Sequence, residues 1–326
     1  MPCYRIHGLA VSLPIACQGL VAASEAPVDL EFVLGGYREA SVLPSLTEPG
    51  WSELSLDKGN HAMALRIWRQ PSAEGVRYLF RFSGDDHAEY VAAADFRRVE
   101  IVWTRPQVET AELMTLALGP VLGAILRLRG QLALHASTVT IDGQAVAVVG
   151  HSGSGKSTLV ANLLRRRGIL LSDDLSLVEV GSDGTPHVLA GQAGLKLWPD
   201  SLSHLGECSG DWPTVFSNTA KRQVSIAAPD GPSRVPLSGI FLLGPFTVGL
   251  DAAGLERLSP QRAFAQLSNH LYAPFIPIAP HERAELFRRQ CWLAAAVPTY
   301  GVARAHGLEL LPRLCDEIIQ RAVRAN

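Results

Sequence analysis

The chain has 326 residues, 47% of them hydrophobic, enough for one large domain or two modest ones with proper cores. Its 29 Lys+Arg against 31 Asp+Glu leave a formal charge of -2, which excludes a general electrostatic pull toward nucleic acid or an anionic membrane. Five widely spaced cysteines, with no CxxC pair, fit a reduced cytoplasmic chain with buried thiols rather than a disulfide scaffold or a zinc site.

Near the start, "GLAVSLPIACQGLVAASEA" ends in small residues like a secretory signal, but Pro14 and Gln18 interrupt its apolar run and it reads as part of the fold. Through residue 107 the runs "VDLEFVLGG", "HAMALRIWRQ", "GVRYLFRFSG" and "RRVEIVWT" alternate with period two, the middle pair joined by a turn at Pro71–Gly75. This predicts a small antiparallel β domain over residues 1–107. From Glu109 to Arg129 the period becomes helical, with Leu113, Leu116, Leu118, Val121, Leu122, Ile125 and Leu126 on one apolar face. Its core "LMTLALGPVLGAILRL" has 16 residues, short of the roughly 20 that span a bilayer, and contains Gly119-Pro120. A buried, kinked helix joining two domains is expected.

"LALHASTVTIDGQAVAVVG" then predicts two strands around Asp142-Gly143, the second feeding Gly150-His151-Ser152-Gly153-Ser154-Gly155-Lys156-Ser157. That run fits G-x-x-x-x-G-K-[ST] and is followed by a predicted helix, "STLVANLLRRRG", that ends at Gly168. Glycines let the backbone turn its N–H groups inward at a helix N-terminus, where the dipole favours anions. Gly150, Ser152, Gly153, Ser154, Gly155 and Thr158 are therefore candidate phosphate contacts, with Lys156 reaching the terminal phosphates and Ser157 offering its hydroxyl to Mg²⁺.

Asp173 and Asp174, in "ILLSDDLSLVEV", follow Lys156 by 17 residues, room for one helix and a return strand. Neighbours on a strand point to opposite faces, yet at its C-terminal end both can approach a bound nucleotide, one as metal ligand and one as base for an attacking hydroxyl. The bland alternative is a solvated turn or helix cap at "SDD". His135, in the strand ahead of the loop, is either a functional group or a satisfied core histidine. Lys221 and Arg222 are either cations for a transferring phosphoryl group or a solvated strand edge. A hairpin is expected around Asp183-Gly184; residues 190–250 look irregular and 260–326 mostly helical.

Residues 134–180, from "LHASTV" to "SLVEV", resemble the catalytic core of the HPr kinase/phosphorylase family, in which a His-bearing strand, a hairpin, the glycine loop, a helix ending in Arg-Gly and an Asp pair follow in this order. "YRIHGLAVSLPI", "GLKLWPD", "AKRQV" and "VPTYGVARAHGLELLP" are similar to HPr-kinase-like proteins of bacterial biosynthetic clusters, among them kinases acting on the C-terminal serine of lasso-peptide precursors. The resemblance implies an α/β fold: a phosphoenolpyruvate-carboxykinase-like P-loop core with a mixed, bent sheet over 108–326, after a β-rich domain for substrate or leader-peptide docking. It implies ATP and Mg²⁺ as cofactors, with Lys156, Ser157 and Lys221 on phosphate, Ser157 and Asp173 on the metal, Arg222 on the transferring group and His135 tuning the carboxylates. Which aspartate is the base stays open at this stage, with Asp174 favoured.

Two family features are missing. No carboxylate precedes the "GLKL" segment, so Asp200 is the nearest replacement acid, and the signature for phosphoserine hydrolysis and HPr docking is absent. The expected activity is transfer of a γ-phosphate to a serine of a peptide or small protein, by a cytoplasmic monomer or homo-oligomer without nucleic-acid or membrane partners. A small-molecule kinase and a P-loop ATPase are the alternatives.

Overall fold

The structure, a computed structural model, describes residues 1–23, 27–39, 50–56, 64–73, 75–83, 88–216, 219–226, 231–246, 254–304, 307–308 and 310–324. The N-terminal part is a nine-stranded sheet of β1 (Cys3–Ile6), β2 (Leu9–Ser12), β3 (Val21–Ala22), β4 (Leu30–Tyr37), β5 (Ser52–Leu56), β6 (Ala64–Ser72), β7 (Gly75–Ser83), β8 (Ala88–Ala92) and β9 (Arg98–Trp103). Their order is β3-β1-β2-β4-β9-β8-β7-β6-β5. The sheet is larger than expected, and mixed rather than antiparallel, because β4 pairs in parallel with both β2 and β9. Alternation revealed β4, β6, β7 and β9, whereas β8 is buried at every position, which erases its alternation. The expected five-residue turn also shortens, since β6 and β7 stay paired through Ser72 and Gly75.

One face of this sheet carries α1 (Thr110–Leu116) and α2 (Leu122–Leu128), joined through a π-helical segment, Ala117–Val121, that contains Pro120. A proline supplies no N–H and crowds the preceding turn, and a wider turn accommodates it without breaking the axis. The continuous helix is 19 residues, longer than the expected core, and is long and apolar enough to cross a bilayer; 67% of its apolar window is buried. Leu113, Val121, Leu122 and Ile125 share a core with Phe32, Phe80 and Tyr90 of the sheet, and the Tyr90 hydroxyl donates to the Leu113 carbonyl at 2.7 Å.

The second sheet contains β10 (Leu132–Leu134), β11 (Ala136–Ile141), β12 (Gln144–Val149), β13 (Ile169–Ser172), β14 (Ser176–Val180), β15 (Pro186–Leu189), a two-stranded outlier of β16 (Gly194–Leu197) and β17 (Arg222–Ser225), then β18 (Arg234–Phe246), β19 (Gly254–Arg257) and β20 (Thr299–Arg304). The main order is β10-β14-β15-β18-β12-β11-β13, with β20 on β18 and β19 on β20; β16 and β17 form a separate two-stranded sheet, and Arg222 of β17 also bridges to Thr214. The β12–β18 and β18–β20 pairs are parallel, so this sheet is mixed too. On one face α3 (Lys156–Leu164) and α7 (Leu311–Arg324) cover Val146, Val148 and Phe241. On the other, α5 (Pro260–Ser268) and α6 (Pro280–Ala296) cover Ala145, Ala147 and Ile240. Alternate residues of the same strands thus feed two cores, the period-two rule applied to a sheet covered on both sides.

The sheet bends where strands change partners. β10 pairs with β14, and past His135 the chain continues as β11 on β12 and β13. β13 pairs with β11, and past Asp173, Asp174 and Leu175 the chain continues as β14 on β10 and β15. The expected single strand over "ILLSDDLSLVEV" is therefore two, and the aspartates form a corner in which Asp174 has φ 63°. His135 likewise occupies a break between strands rather than a strand interior. β18 corrects the irregular reading of 190–250: Pro236 and Gly239 look like breakers, but Pro236 is the last residue paired to β15 and Leu237 the first paired to β12.

The two halves meet through the β1–β2 turn, where His7 and Gly8 have φ 49° and 81°. The His7 N–H donates to the Ala190 carbonyl at 2.7 Å, and its ring lies against Gly191, where a Cβ would come within 2.4 Å of the imidazole Cε1. Ala193 donates to the Gly19 carbonyl at 2.9 Å, and a Cβ on Gly19 would fall 1.9 Å from the Ala193 oxygen. Burial pulls the His7 pKa down to about 4, only partly offset by a backbone hydrogen bond. The unfolded chain therefore binds the extra proton between about pH 6.5 and 4, so His7 supports the fold fully above 6.5 and loses that contribution as pH falls. In urea unfolding series across this window, His7→Gln should show a shallower loss of stability on acidification than the wild type; equal slopes would contradict a buried neutral His7.

Candidate active site

β12 ends at Val149, and the glycine loop turns through Gly153 and Gly155, with φ 77° and 83°, into the first residue of α3, Lys156. These left-handed angles are where glycine is needed. The Lys156 ammonium lies back over the loop, donating to the carbonyls of Gly150 at 2.9 Å and His151 at 3.2 Å. Burial lowers its pKa while the nearby aspartates work the other way. One turn on, the Thr158 and Ser201 hydroxyls are 2.8 Å apart, tying α3 to α4 (Pro199–His204).

Across from the loop stands the aspartate corner. Asp173 Oδ1 accepts from the Ser137 hydroxyl at 2.5 Å, and its Oδ2 from the Lys196 backbone N–H at 3.3 Å. Asp174 Oδ2 meets Lys196 Nζ at 3.1 Å, and His135 Nε2 lies 3.9 Å from its Oδ1. Burial and the neighbouring Asp174 charge push Asp173 up to about 6, against the pull of Ser137 and Lys196. For Asp174 burial acts upward, but Lys196, Lys221 and His135 outweigh it and hold the group well below the usual carboxylate range. Lys196 is the mirror case: burial pulls its pKa down, and the two carboxylates more than restore it. His135 is held down at about 4 by burial and then by Lys156, so it is neutral at pH 7. Two coupled carboxylates pushed apart in this way keep one charge fixed and leave one proton to move near pH 6.

Loop and corner open into one cavity of about 280 Å³. Its polar end is Lys156, Ser157, Asp174, His135, Lys196 and Lys221; its apolar end is Trp198, Phe246, Leu308 and Leu311. Trp198 and Phe246 are 50% and 45% exposed, large apolar surface left open at the rim. Asp174 lines this cavity, whereas Asp173 is tied behind it to Ser137. Asp200 also lines it, from the first turn of α4. Among the described residues there is no cluster of three or more His, Cys, Asp or Glu able to hold a metal unaided.

Of the residues singled out from sequence, the structure brings together Lys156, Ser157, Thr158, Asp174, His135 and Lys221, with Ser152, Gly153 and Gly155 on the same wall. Arg222 is a correction: it opens β17 and donates to the Trp212 carbonyl at 3.2 Å, whereas Lys221, just ahead of the strand, lines the cavity. Sequence reading missed Ser137, Lys196, Trp198 and Arg304. Arg304, 7% exposed, donates to the carbonyls of Ser154 at 2.5 Å and Gly244 at 2.6 Å, with its guanidinium 4.3 Å over the Phe246 ring. It braces the glycine loop against β18. The one available signal was a lysine within the apolar "GLKL" run and an arginine at the end of "YGVAR", both charges inside strand-like segments.

No protein-family model matches the chain, and no curated protein matches it. Among solved structures it is similar to the Hpr(Ser) kinase/phosphatase from Coxiella burnetii, at 12% identity over 58% of this chain and 88% of that one, with a TM-score of 0.30. A likeness of that size carries no argument about this chain.

Lys196 is the cation that keeps the corner's charge divided. In carboxyl-carbon NMR titrations, Asp173 should show a midpoint near 6, and Lys196→Met should move it upward by removing a nearby positive charge. An Asp173 midpoint in the ordinary carboxylate range, unmoved by the substitution, would contradict the coupling.

Proposed function

We propose that this chain is a kinase that transfers the γ-phosphate of ATP to a hydroxyl group, the acceptor being a serine of a peptide or small protein. The observation that carries the reading is that one cavity holds both halves of such a site: a phosphate loop with Lys156 and Ser157, and an ionised carboxylate, Asp174, facing it. The loop backbone and Lys156 would hold the triphosphate, with the purine against the apolar end at Trp198 and Leu311. Ser157 and the aspartates are hard oxygen donors, and with too few protein ligands for a full cage they suit Mg²⁺, which commonly takes the rest of its shell from phosphate oxygens and water. Bound there, Mg²⁺ would neutralise charge on the β and γ oxygens.

The step balances without any further reagent. The acceptor oxygen attacks the γ-phosphorus, the bond to the β-γ bridging oxygen breaks, ADP leaves, and the hydroxyl proton passes to Asp174. Asp174 is a weak base, but a loose transition state demands little proton removal before the new bond forms. Geometry favours Asp174 over Asp173 for this role, since only Asp174 lines the cavity; Asp173 and Ser137 hold its backbone corner in place. Lys196 and Lys221 supply fixed positive charge beside the transferring group. The order of motifs between residues 134 and 180 supports a phosphoenolpyruvate-carboxykinase-like core, and the looser similarities point to a C-terminal serine of a peptide precursor, acted on in the cytoplasm.

Calorimetry should find that Lys156→Ala weakens MgATP binding by about 100-fold or more with an unchanged Tm, since a buried ammonium facing the triphosphate is lost. Asp174→Asn should keep nucleotide binding and lower transfer by about 10²–10⁴-fold, the range of a general base. Rapid ATP hydrolysis indifferent to any added acceptor would replace the kinase reading with an ATPase.

A further inference from the structure

A second, outer cavity of about 1040 Å³ adjoins the first, inner one, and the two share Ser152, Gly153, Phe246 and Arg304. Its floor is His151–Ser154 of the glycine loop, next to Lys156 and Ser157 of the inner cavity. The ends of β18 and β20, the strand β19 and one face of α5 form its walls. We propose that this cavity binds the phosphoryl acceptor and that its occupant is an extended peptide segment, an assignment that rests on the transfer reading above.

Transfer between two substrates needs two spaces that converge on one phosphate. The inner cavity has the loop lysine, the helix N-terminus and the apolar end that suit a nucleotide, which leaves the outer one for the acceptor. It adjoins the carboxylates through His270, whose carbonyl accepts the His135 N–H at 2.8 Å and whose ring centroid is 4.6 Å from that of His151. Burial first, then His151 and Lys156, hold His270 at a pKa of about 4, so no cationic imidazole faces the entering hydroxyl at neutral pH.

The walls match a peptide better than a small metabolite. Along α5 and its C-terminal cap, Arg262, Gln266 and Asn269 fall at i, i+4 and i+7, one helix face turned into the cavity. Arg262 is already paired with Glu256 and the Asn269 amide donates one hydrogen bond to the Ala265 carbonyl at 3.3 Å, which leaves the Gln266 amide and the Asn269 side-chain oxygen and second N–H to complement peptide groups. β19 pairs along one side with β20 and, among the described residues, with no other strand. Gly254, Glu256 and Arg257 of β19 are exposed, so its other edge offers backbone groups to an extended chain. The volume lies at the upper limit of the roughly 300–1,000 Å³ typical of small-ligand pockets, more than a sugar or hydroxy acid fills.

The test uses the full chain with MgATP and an array of serine-containing octapeptides. A subset should be phosphorylated, and for the best of them the double variant Gln266→Ala, Asn269→Ala should raise KM by about tenfold, the cost of two neutral hydrogen bonds, with kcat and MgATP affinity within about twofold. Both residues are exposed, so the variant's Tm should match the wild type. N-methylating alternate backbone amides of that octapeptide should raise KM as well, which a merely structural role for α5 would not produce. An unchanged KM in the double variant, or labelling of free sugars and hydroxy acids in place of every octapeptide, overturns the acceptor assignment while leaving phosphoryl transfer intact. Phosphate recovered only as the free ion with every acceptor overturns transfer itself.

Discussion

Two adjacent half-buried carboxylates stay ionised together only when cations and hydrogen-bond donors are brought to them, and the bend of the second sheet is where that demand is met. Asp173 and Asp174 occupy the corner at which β13 leaves one set of partners and β14 joins another. Asp174 adopts φ 63°, a conformation that aspartate tolerates better than bulky residues do. The turn aims one carboxyl at the cavity and leaves the other against Ser137 of β11. A straight strand would have sent the two to opposite faces of the sheet and separated them.

Lys196 links this corner to the other half of the molecule. It contacts Asp173 through its backbone N–H and Asp174 through its ammonium. The segment leading to it, from Ala190 to Ala193, is fastened by His7 and Gly19 of the N-terminal part. The close approaches at Gly19 and Gly191 leave no space for a side chain at either position. The β1–β2 turn and the cation that divides the charge between the aspartates are thus joined through a short run of backbone contacts. Among the described residues the N-terminal sheet contributes no side chain to the first cavity.

What could be read from the sequence follows from how local each requirement is. A tight turn from a strand into a helix needs glycines at fixed offsets, so the turn through Gly153 and Gly155 between β12 and α3 was legible from local sequence. The aspartates were legible as a pair, but not as a corner, because partner exchange between strands is set by distant segments. Ser137, Lys196 and Arg304 arrive from three other strands; a charge inside a strand-like run marks Lys196 and Arg304 as unusual, but no local pattern says which site they join, and nothing marks Ser137. Lys221 and Arg222 show the limit of a dipeptide argument: Lys221 lies ahead of β17 and lines the cavity, while Arg222 opens the strand and turns to the Trp212 carbonyl. β8 and β18 were hidden for opposite reasons, the first by complete burial and the second by a proline placed where the strand changes partners.

The charges around the first cavity explain why it suits a polyanion. Asp173 and Asp174 face Lys156, Lys196 and Lys221, and His135 contributes nothing at neutral pH because burial keeps it uncharged. With Asp200 and Arg304, which also line the cavity, three negative charges against four positive ones leave a small excess of positive charge, in a space walled by Trp198, Phe246 and Leu311. The Lys156 ammonium lies over the loop on the carbonyls of Gly150 and His151, and Lys196 is held at Asp174 by a 3.1 Å contact. Any negative charge that drew the Lys196 ammonium away would remove the main counter-ion of Asp174 and make that carboxylate more basic, so the protonation of the corner is tied to whatever charge the cavity holds.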